Sequence, residues 1–364
     1  MGRVLVGMED EFSACRDALC AMAMPVRADD CEDVPRSGWI GPPEGGAAKG
    51  GAAEGMIRAR CAAAKHGATA LGLVFRGGEE PSVDEARGVL GRFREGVQGL
   101  LEVLEMEGQG CGRTRHAALQ KASASVVSSS VQLVDDLKRG ERSEEGVGRG
   151  VGKVWAAVDG AERVPMSDLQ ACGRALVNDL VLVNDVLREM REEMVPSSAG
   201  EGDGGSDESP ASVLSETEAE DEAWEEEEGL RVPLGLAVVN GYVAVVKAFL
   251  RGTASKGGRA GVGVSAEVVS AVEEMVRCGK LGGVACETVG AGLWPPQDCD
   301  ALALALAEVD GATKDLVRAA EKVLDGLLWA SEDEAASREE GKEAVRVAHS
   351  ALTDAVAAMA ASLR

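Results

Sequence analysis

The sequence ALALALAEVDGATKDLVRAAEKVLDGLL, Ala301–Leu328, contains the clearest helical pattern in this chain. Apolar residues recur in it at alternating spacings of four and three, the period that one face of an α-helix requires. The alternation of Leu and Ala at its start also fits a strand, but alanine favours helix and the longer period extends over more than three heptads. The apolar face comprises Leu302, Leu306, Val309, Thr313, Leu316, Ala320, Val323 and Leu327. This segment therefore predicts a long amphipathic helix.

The composition extends the helical prediction to the whole chain, which has 364 residues. Aromatic residues make up 3% of it, with one Tyr and four Phe, so little aromatic material is available for β-sheet packing. Long amphipathic segments separated by short joints are typical of helical bundles. We therefore predict an all-α fold in two parts, with long amphipathic helices joined by short loops and by one long acidic disordered linker.

Helical periodicity and capping residues predict eleven helices. Ser82 opens a capping box, Ser167 caps a second helix, and Asp298 or Asp300 would cap the helix after the double proline. That Pro295-Pro296 pair should end one helix and re-aim the next, because proline lacks an N–H and clashes with the preceding turn. The predicted helices are Glu9–Met24, Met56–Phe75, Val83–Glu105, Arg113–Arg139, Val151–Ala161, Ser167–Met194, Leu230–Leu250, Ser265–Cys278, Val284–Leu293, Asp298–Trp329 and Ser331–Leu363.

Two segments poor in apolar residues divide the chain. Pro35–Gly55 is rich in Gly, Pro and Ala, a composition typical of flexible loops. Pro196–Gly229 is acidic, with thirteen acidic residues and no Lys or Arg between Glu201 and Glu228, and self-repulsion should keep it extended. The predicted organisation is an N-terminal helix with a flexible loop over residues 1–55, a first bundle over 56–195, an acidic disordered linker over 196–228 and a second bundle over 229–364.

The acidic segment also contains candidate phosphorylation sites. Ser209 precedes a proline, and Ser215 and Thr217 each have Glu three residues on, the patterns that proline-directed and acid-seeking kinases use. Phosphate groups would add negative charge to a region that is already acidic and could change partner binding. The alternative is a solvated spacer without modification.

Charge and cysteine usage exclude several classes of partner and site. The net charge of −24 argues against direct nucleic-acid binding, because a phosphate backbone requires a basic face. The strongest membrane candidate, Leu234–Leu250, contains Asn240 and Lys247 and is shorter than a bilayer span, so we interpret it as a buried helix and predict no membrane partner. The nine cysteines are scattered without a Cys-x-x-Cys pair, which indicates reduced thiols in a cytosolic or nuclear protein.

No pattern of catalytic or ligand-binding residues emerges from the sequence. The glycine cluster Gly146–Lys153 lacks the spacing of a phosphate-binding loop, because Val147 and Val154 stand where that loop needs glycine and a hydroxyl. We interpret it as a flexible joint between helices. Each of the three histidines stands without a second ligand three or four residues away. We therefore predict a binding protein with no catalytic residues, no cofactor and no metal site.

The predicted helix Ser167–Met194 carries two apolar heptad files that could bind a partner helix. The alternative, a face packed inside the bundle, is favoured because Val177, Val181 and Val186 lie outside the seam. No basic cluster precedes the helix, so a helix-loop-helix protein built on it could dimerise without binding DNA. The candidate partner-binding residues are Leu169, Leu176, Leu180, Val183, Leu187 and Met190.

Four stretches, in this order along the chain, resemble the cyclin-D-binding protein family, also described as cyclin-D-interacting helix-loop-helix proteins. They are KHGATALGLVF at Lys65–Phe75, GKVWAAVD at Gly152–Asp159 with VLVNDVLREM at Val181–Met190, VVNGYVAVVK at Val238–Lys247, and LWPPQ at Leu293–Gln297. As in the family, an acidic segment separates the second from the third. We interpret Trp155, Trp294, Pro295 and Pro296 as its structural signature. Trp294 stands where the family usually has Tyr, a change that keeps a large amphipathic ring.

The resemblance implies a helical-bundle protein without enzymatic activity, found in cytoplasm and nucleus. It also implies binding of D-type cyclins and helix-loop-helix transcription factors, and negative regulation of cell-cycle progression. A vinculin-like helical scaffold or adaptor without a cell-cycle role is the alternative. The sequence leaves the oligomeric state and the partner-binding face open.

Overall fold

The computed structural model confirms the all-α fold: its described residues form ten helices and no strand. The described residues are 3–22, 50–76, 81–194, 226–257, 265–327 and 332–364. The helices are α1 (Arg3–Ala21), α2 (Gly50–Arg76), α3 (Val83–Gly108), α4 (Arg113–Lys138), α5 (Glu144–Glu162), α6 (Asp168–Glu193), α7 (Glu226–Gly257), α8 (Ala266–Gly292), α9 (Cys299–Gly326) and α10 (Glu332–Ser362).

Several predicted segments lie outside the described residues. They include most of the Gly/Pro-rich loop, almost all of the acidic linker, and the candidate phosphorylation sites Ser209, Ser215 and Thr217. Residues 50–55, which we expected in the loop, instead form the first turns of α2. The reason is tertiary packing, since Ala53 in these turns is buried.

Two glycine-rich segments that we interpreted as joints lie inside helices. Gly146–Lys153 forms the first half of α5, and the predicted helices Ser265–Cys278 and Val284–Leu293 are one helix, α8. Glycine lowers helix propensity by about 1 kcal/mol. Here, however, its missing side chain lets neighbouring helices approach: a Cβ at Gly150 would lie 2.8 Å from Leu133 Cδ1. These glycines are packing positions of continuous helices.

The described helices divide into two compact units. The first contains the described residues of Met1–Cys172 with Lys256–Glu273, and the second those of Gly173–Ser255 with Glu274–Arg364. The first unit therefore holds α1 to α5, and the second holds most of α6, α7 and α8 with all of α9 and α10. The sequence predicted that all of α6 belongs to the first bundle. In the structure most of α6 belongs to the second unit, because Leu176 of α6 packs against Gly279 of α8.

In the first unit, α2 and α3 approach each other closely at two glycines. A Cβ at Gly67 would lie 2.8 Å from the Cα of Phe93, and a Cβ at Gly96 would lie 3.1 Å from the Cα of Ala64. Both distances are to backbone atoms, so at these points the two helix backbones lie against each other with no side chain between them. The glycines of the sequence thus fix the separation of α2 and α3.

Two buried hydroxyl groups on α4 have no hydrogen-bond partner among the residues that the structure describes. Ser123 and Ser130 are fully buried seven residues apart on this helix, and neither Oγ atom is hydrogen-bonded. An unpaired buried polar group costs about 1–3 kcal/mol, and alanine is also the better helix former. We therefore expect Ser130→Ala to raise the free energy of unfolding of the first unit by about 1–2 kcal/mol, measured by hydrogen exchange of α4.

The matched control for this prediction is Ser128→Ala, which removes an exposed hydroxyl from the same helix. It should raise the free energy of unfolding by only about 0.5 kcal/mol, the difference in helix propensity. Equal effects of the two substitutions would show that the buried hydroxyl carries no desolvation cost.

In the second unit, Tyr242 joins α7 to α8. Its buried hydroxyl donates to the carbonyl of Gly279 at 2.5 Å, and burial raises the pKa of the phenol above its ordinary value. The ring lies against Gly282, where a Cβ would collide with it. Small residues also bring α7 onto α10, because a Cβ at Gly252 would lie 3.3 Å from the Cα of Gly341.

Candidate interaction surfaces

Ion pairs mark the antiparallel register of α2 and α5 in the first unit. Lys65 pairs with Asp159 and lies 3.4 Å from Glu162 near the end of α5, whereas Arg76 pairs with Glu144 at its start. The hydrogen bond to Asp159 raises the pKa of Lys65, and the same bond lowers the pKa of Asp159. This register places α5 beside the C-terminal half of α2, where Val151 lies against Gly72.

Trp155 and Leu73 form an exposed apolar face on this helix pair. Trp155 is 44% exposed and Leu73 is 66% exposed. Helical periodicity and the antiparallel register put both on the same side of the pair, beside Gly148 and Gly152, whose Cβ positions face open space. We call these four residues the Trp155 face. The two glycines leave the indole ring accessible from the α5 side.

The charged side chains around the Trp155 face are paired within the unit. Besides the pairs of Lys65 and Arg76, Arg149 lies 2.7 Å from Glu145. Exposed pairs of this kind contribute little to stability or binding. Tryptophan, in contrast, is enriched among the residues that dominate binding energy at protein interfaces. The Trp155 face is therefore the candidate interaction surface of the first unit.

The candidate partner-binding stripe of α6 is buried instead of exposed. Five of its six residues are at most 6% exposed, and Leu169 is half-buried. The five are Leu176, Leu180, Val183, Leu187 and Met190. Leu176 packs where a Cβ at Gly279 of α8 would stand. The hypothesis of a partner-binding face on these five residues is therefore wrong for this fold, because they are buried and α8 packs against them. The large apolar residues of α6 that are exposed are Val177, Val181 and Leu182.

The double proline forms a corner between α8 and α9. The peptide bond between Pro295 and Pro296 is cis. Asp298, one of the two predicted caps, accepts hydrogen bonds from the backbone N–H groups of Asp300 and Ala301 at 3.0 Å. The predicted change of direction after α8 is thus present, and α9 begins at a side-chain cap.

Gln297 fastens this corner to α7. Its backbone N–H donates to Glu228 Oε1 at 2.8 Å, and its side-chain amide donates to the carbonyls of Glu228 and Leu293 at 3.2 and 2.9 Å. Arg231 donates to Gln297 Oε1 at 3.3 Å and to the carbonyl of Ser362 at 3.2 Å. Both Glu228 and Arg231 are buried, so the network fixes the backbone of the corner.

The segment from α2 to α6 is also similar to a known protein family. Residues 57–195 match the family described as Grap2 and cyclin-D-interacting, N-terminal. This part of the chain is similar to the N-terminal domain of that family. The matched residues run from α2 to just past α6 and nearly equal the first bundle predicted from the sequence, 56–195. No curated protein sequence matches the chain at a significant level.

The segments that carry the resemblance to the cyclin-D-interacting family are mainly packing positions. Gly67 contacts α3, Leu293 is fully buried against Gly235, and the amide of Asn184 donates to the carbonyl of Leu180 at 2.7 Å. These contacts support our interpretation of the segments as structural. The tryptophans within them are different, because Trp155 and Trp294 are both exposed while their neighbours hold the backbone in place. Sequence reasoning missed this difference, since it had no measure of exposure for an isolated tryptophan.

The cysteines that the structure describes are free thiols. Burial raises the pKa of Cys15, Cys61 and Cys278 to about 11. These three thiols are therefore protonated at neutral pH and are weak nucleophiles. Their surroundings give no support to a catalytic cysteine at these positions.

One group of metal-ligating residue types was not recognisable in the sequence. Ligand atoms of Glu274, Cys278 and Asp315 lie within 4.8 Å of one another, although Asp315 comes from a different helix. Arg277 donates to both carboxylate oxygens of Glu274 at 2.6 and 2.9 Å and lies 3.5 Å from Cys278 Sγ. This guanidinium places a positive charge beside two of the three ligand groups, which disfavours metal binding there.

One helix in the described part of the chain is long and apolar enough to cross a membrane. Its window within Glu227–Thr253 has a mean hydropathy of 1.7, and 56% of that window is buried in the structure. Val238, Val245 and Phe249 are among the residues of this helix in the core of the second unit. A buried core helix, as interpreted from the sequence, accounts for this hydropathy.

Proposed function

We propose that this chain is a non-enzymatic regulatory protein of the cytoplasm and nucleus that binds a D-type cyclin through its N-terminal domain. The observation that carries the proposal is the match of residues 57–195 to the cyclin-D-interacting family. The resemblance stated above supports two finer elements of the proposal, binding of helix-loop-helix factors and negative regulation of cell-cycle progression. Buried thiols with raised pKa values and a high share of packing residues in the recognised segments favour binding over catalysis.

The surface that we propose for the cyclin is the Trp155 face. It lies within the matched residues, it combines an exposed indole ring with an exposed leucine, and the charges beside it are paired. The apolar stripe of α6 is excluded as the contact surface because it is buried. A large aromatic side chain on a rigid helix loses little conformational entropy on binding, which makes it an efficient anchor.

The change that tests this surface is Trp155→Ala. Removing an aromatic anchor from the centre of an interface costs about 2 kcal/mol or more, so affinity for a D-type cyclin from the same organism should fall about 30-fold. Isothermal titration calorimetry with the full chain measures the dissociation constant. Because Trp155 is already half-exposed, the substitution should leave the helices folded.

The matched control is Met106→Ala, which removes another exposed apolar side chain of the first unit, on α3. It should leave the affinity within about twofold of the unmodified chain. If Trp155→Ala also has no effect, the Trp155 face is not the cyclin surface. If the folded chain binds no D-type cyclin at micromolar concentration, the cyclin proposal itself fails, and a proximity-labelling list dominated by cytoskeletal proteins would favour the scaffold alternative.

A further inference from the structure

The corner between α8 and α9 presents a second exposed tryptophan on a rigid support. Trp294 is 42% exposed, while Leu293 before it is fully buried. Gln297, three residues further on, is hydrogen-bonded to α7 through both its backbone and its side chain. The backbone that carries the ring is therefore fixed on both sides. Binding through this ring would not have to pay for ordering the backbone.

Trp294 is exposed beside residues that make the packing contacts of the corner. Leu293, which is fully buried, and Gln297, which is half-buried, make the contacts that hold the corner against α7. Trp294 leaves much of a large apolar ring in water, with Pro296 also exposed beside it. Exposed aromatic residues on a rigid framework are typical of protein interfaces.

The charge around the corner is negative. Asp298 and Asp300 are exposed at the start of α9, and Glu227, at the start of α7, has 82% of its side chain exposed. Arg231 lies 3.6 Å from Glu227 and offsets one of these charges, but it is buried and also donates to Gln297 and to the carbonyl of Ser362, so the corner keeps a net negative charge. In the sequence, the acidic run that ends at Glu228 continues into the first turn of this same helix. A basic partner is therefore attracted and an acidic one repelled.

We propose that the Trp294 corner, formed by Trp294, Pro296, Glu227, Asp298 and Asp300, is a docking surface for a basic protein segment with an apolar anchor. The indole ring and Pro296 supply the apolar contact, and the three carboxylates select Lys and Arg beside that anchor. This surface lies in the second unit, outside residues 57–195, so the inference does not depend on cyclin binding.

The test uses three synthetic helical peptides of equal length as probes of the full chain. One contains Lys and Leu, one contains Lys and Gln, and one contains Glu and Leu. Fluorescence polarisation should show at least tenfold tighter binding of the Lys/Leu peptide than of the other two. The affinity for the Lys/Leu peptide should also fall as sodium chloride is raised, because salt screens the contribution of the carboxylates.

The decisive variant is Trp294→Ala, which should abolish the tenfold preference for the Lys/Leu peptide. Leu304→Ala is the matched control, because Leu304 is another exposed apolar residue of the same unit. Trp155→Ala should also retain the preference, which separates this surface from the proposed cyclin site. Hydrogen exchange of α7 and α9 shows whether the corner is still folded in each variant.

Four outcomes would overturn the proposal. An unchanged preference in Trp294→Ala would reduce the binding to general attraction between opposite charges. Equal binding of the Glu/Leu peptide would exclude charge selection. Trp294-dependent binding to phosphatidylcholine–phosphatidylserine vesicles would identify a lipid surface as the occupant. Trp294-dependent dimerisation in analytical ultracentrifugation would identify a second copy of this chain.

Discussion

Replacing Gly67 with alanine is expected to lower the free energy of unfolding of the first unit by about 3 kcal/mol. The new Cβ would lie 2.8 Å from the Cα of Phe93 and 3.3 Å from the carbonyl oxygen of Arg92. Backbone atoms of a packed helix cannot rotate away as a side chain can, so α2 and α3 must separate. Overpacking of a core costs about 1–3 kcal/mol, and more where the backbone has to move.

The measurement is hydrogen exchange of α2 and α3 peptides, because the chain has two units and a single transition would mix them. Loss of protection should be confined to the first unit. Gly91→Ala is the matched control, since a Cβ at this position on α3 meets nothing within 4 Å. It should increase stability by about 0.5–1 kcal/mol through helix propensity alone. A stabilising effect of Gly67→Ala as well would mean that α2 and α3 are not in close contact.

Replacing Gly282 with alanine should destabilise the second unit by a similar amount, about 3 kcal/mol. The added Cβ would overlap the ring of Tyr242 and lie 3.0 Å from its Cζ atom. The ring cannot move aside, because it is buried and its hydroxyl is hydrogen-bonded to Gly279. The expected cost combines the steric overlap with weakening of this buried hydrogen bond.

A double-mutant cycle separates this mechanism from a general effect on α8. Tyr242→Leu removes the ring that Gly282→Ala would strike, so the two substitutions together should cost at least about 1 kcal/mol less than their sum. Gly311→Ala on α9, where a Cβ meets nothing within 4 Å, should be neutral or slightly stabilising. Additive costs in the cycle would show that Gly282 does not face Tyr242.

The periodic sequence patterns predicted the helices well where the helix ends carry strong local signals. Ser82 accepts a hydrogen bond from the N–H of Glu85, and Asp298 caps α9, both as expected. The Leu302–Leu327 stripe is buried from Leu302 to Val323. These features depend on residues within one or two turns of each other, so the sequence contains the necessary information.

Glycine was the main source of error in the sequence predictions. The Gly146–Lys153 cluster and the gap between Cys278 and Val284 were interpreted as joints, yet both are helical. Local propensity counts a glycine as a helix breaker. Local propensity takes no account of contacts between helices. Gly150 has no side chain, and Leu133 of α4 occupies the space where one would lie. Contacts between helices outweighed the local preference.

The sequence alone determined the all-α class, the position of most helices and the similarity of residues 57–195 to a known family, because period, caps and motif order are local properties of the chain. Only the tertiary structure decided which faces are available to a partner. It buried the α6 stripe against α8 and left Trp155 and Trp294 exposed. It also supplied remote caps, such as Glu273, which accepts a hydrogen bond from the N–H of Thr114 at 2.9 Å. Exposure and remote capping depend on residues far apart in the chain, so no local pattern predicts them.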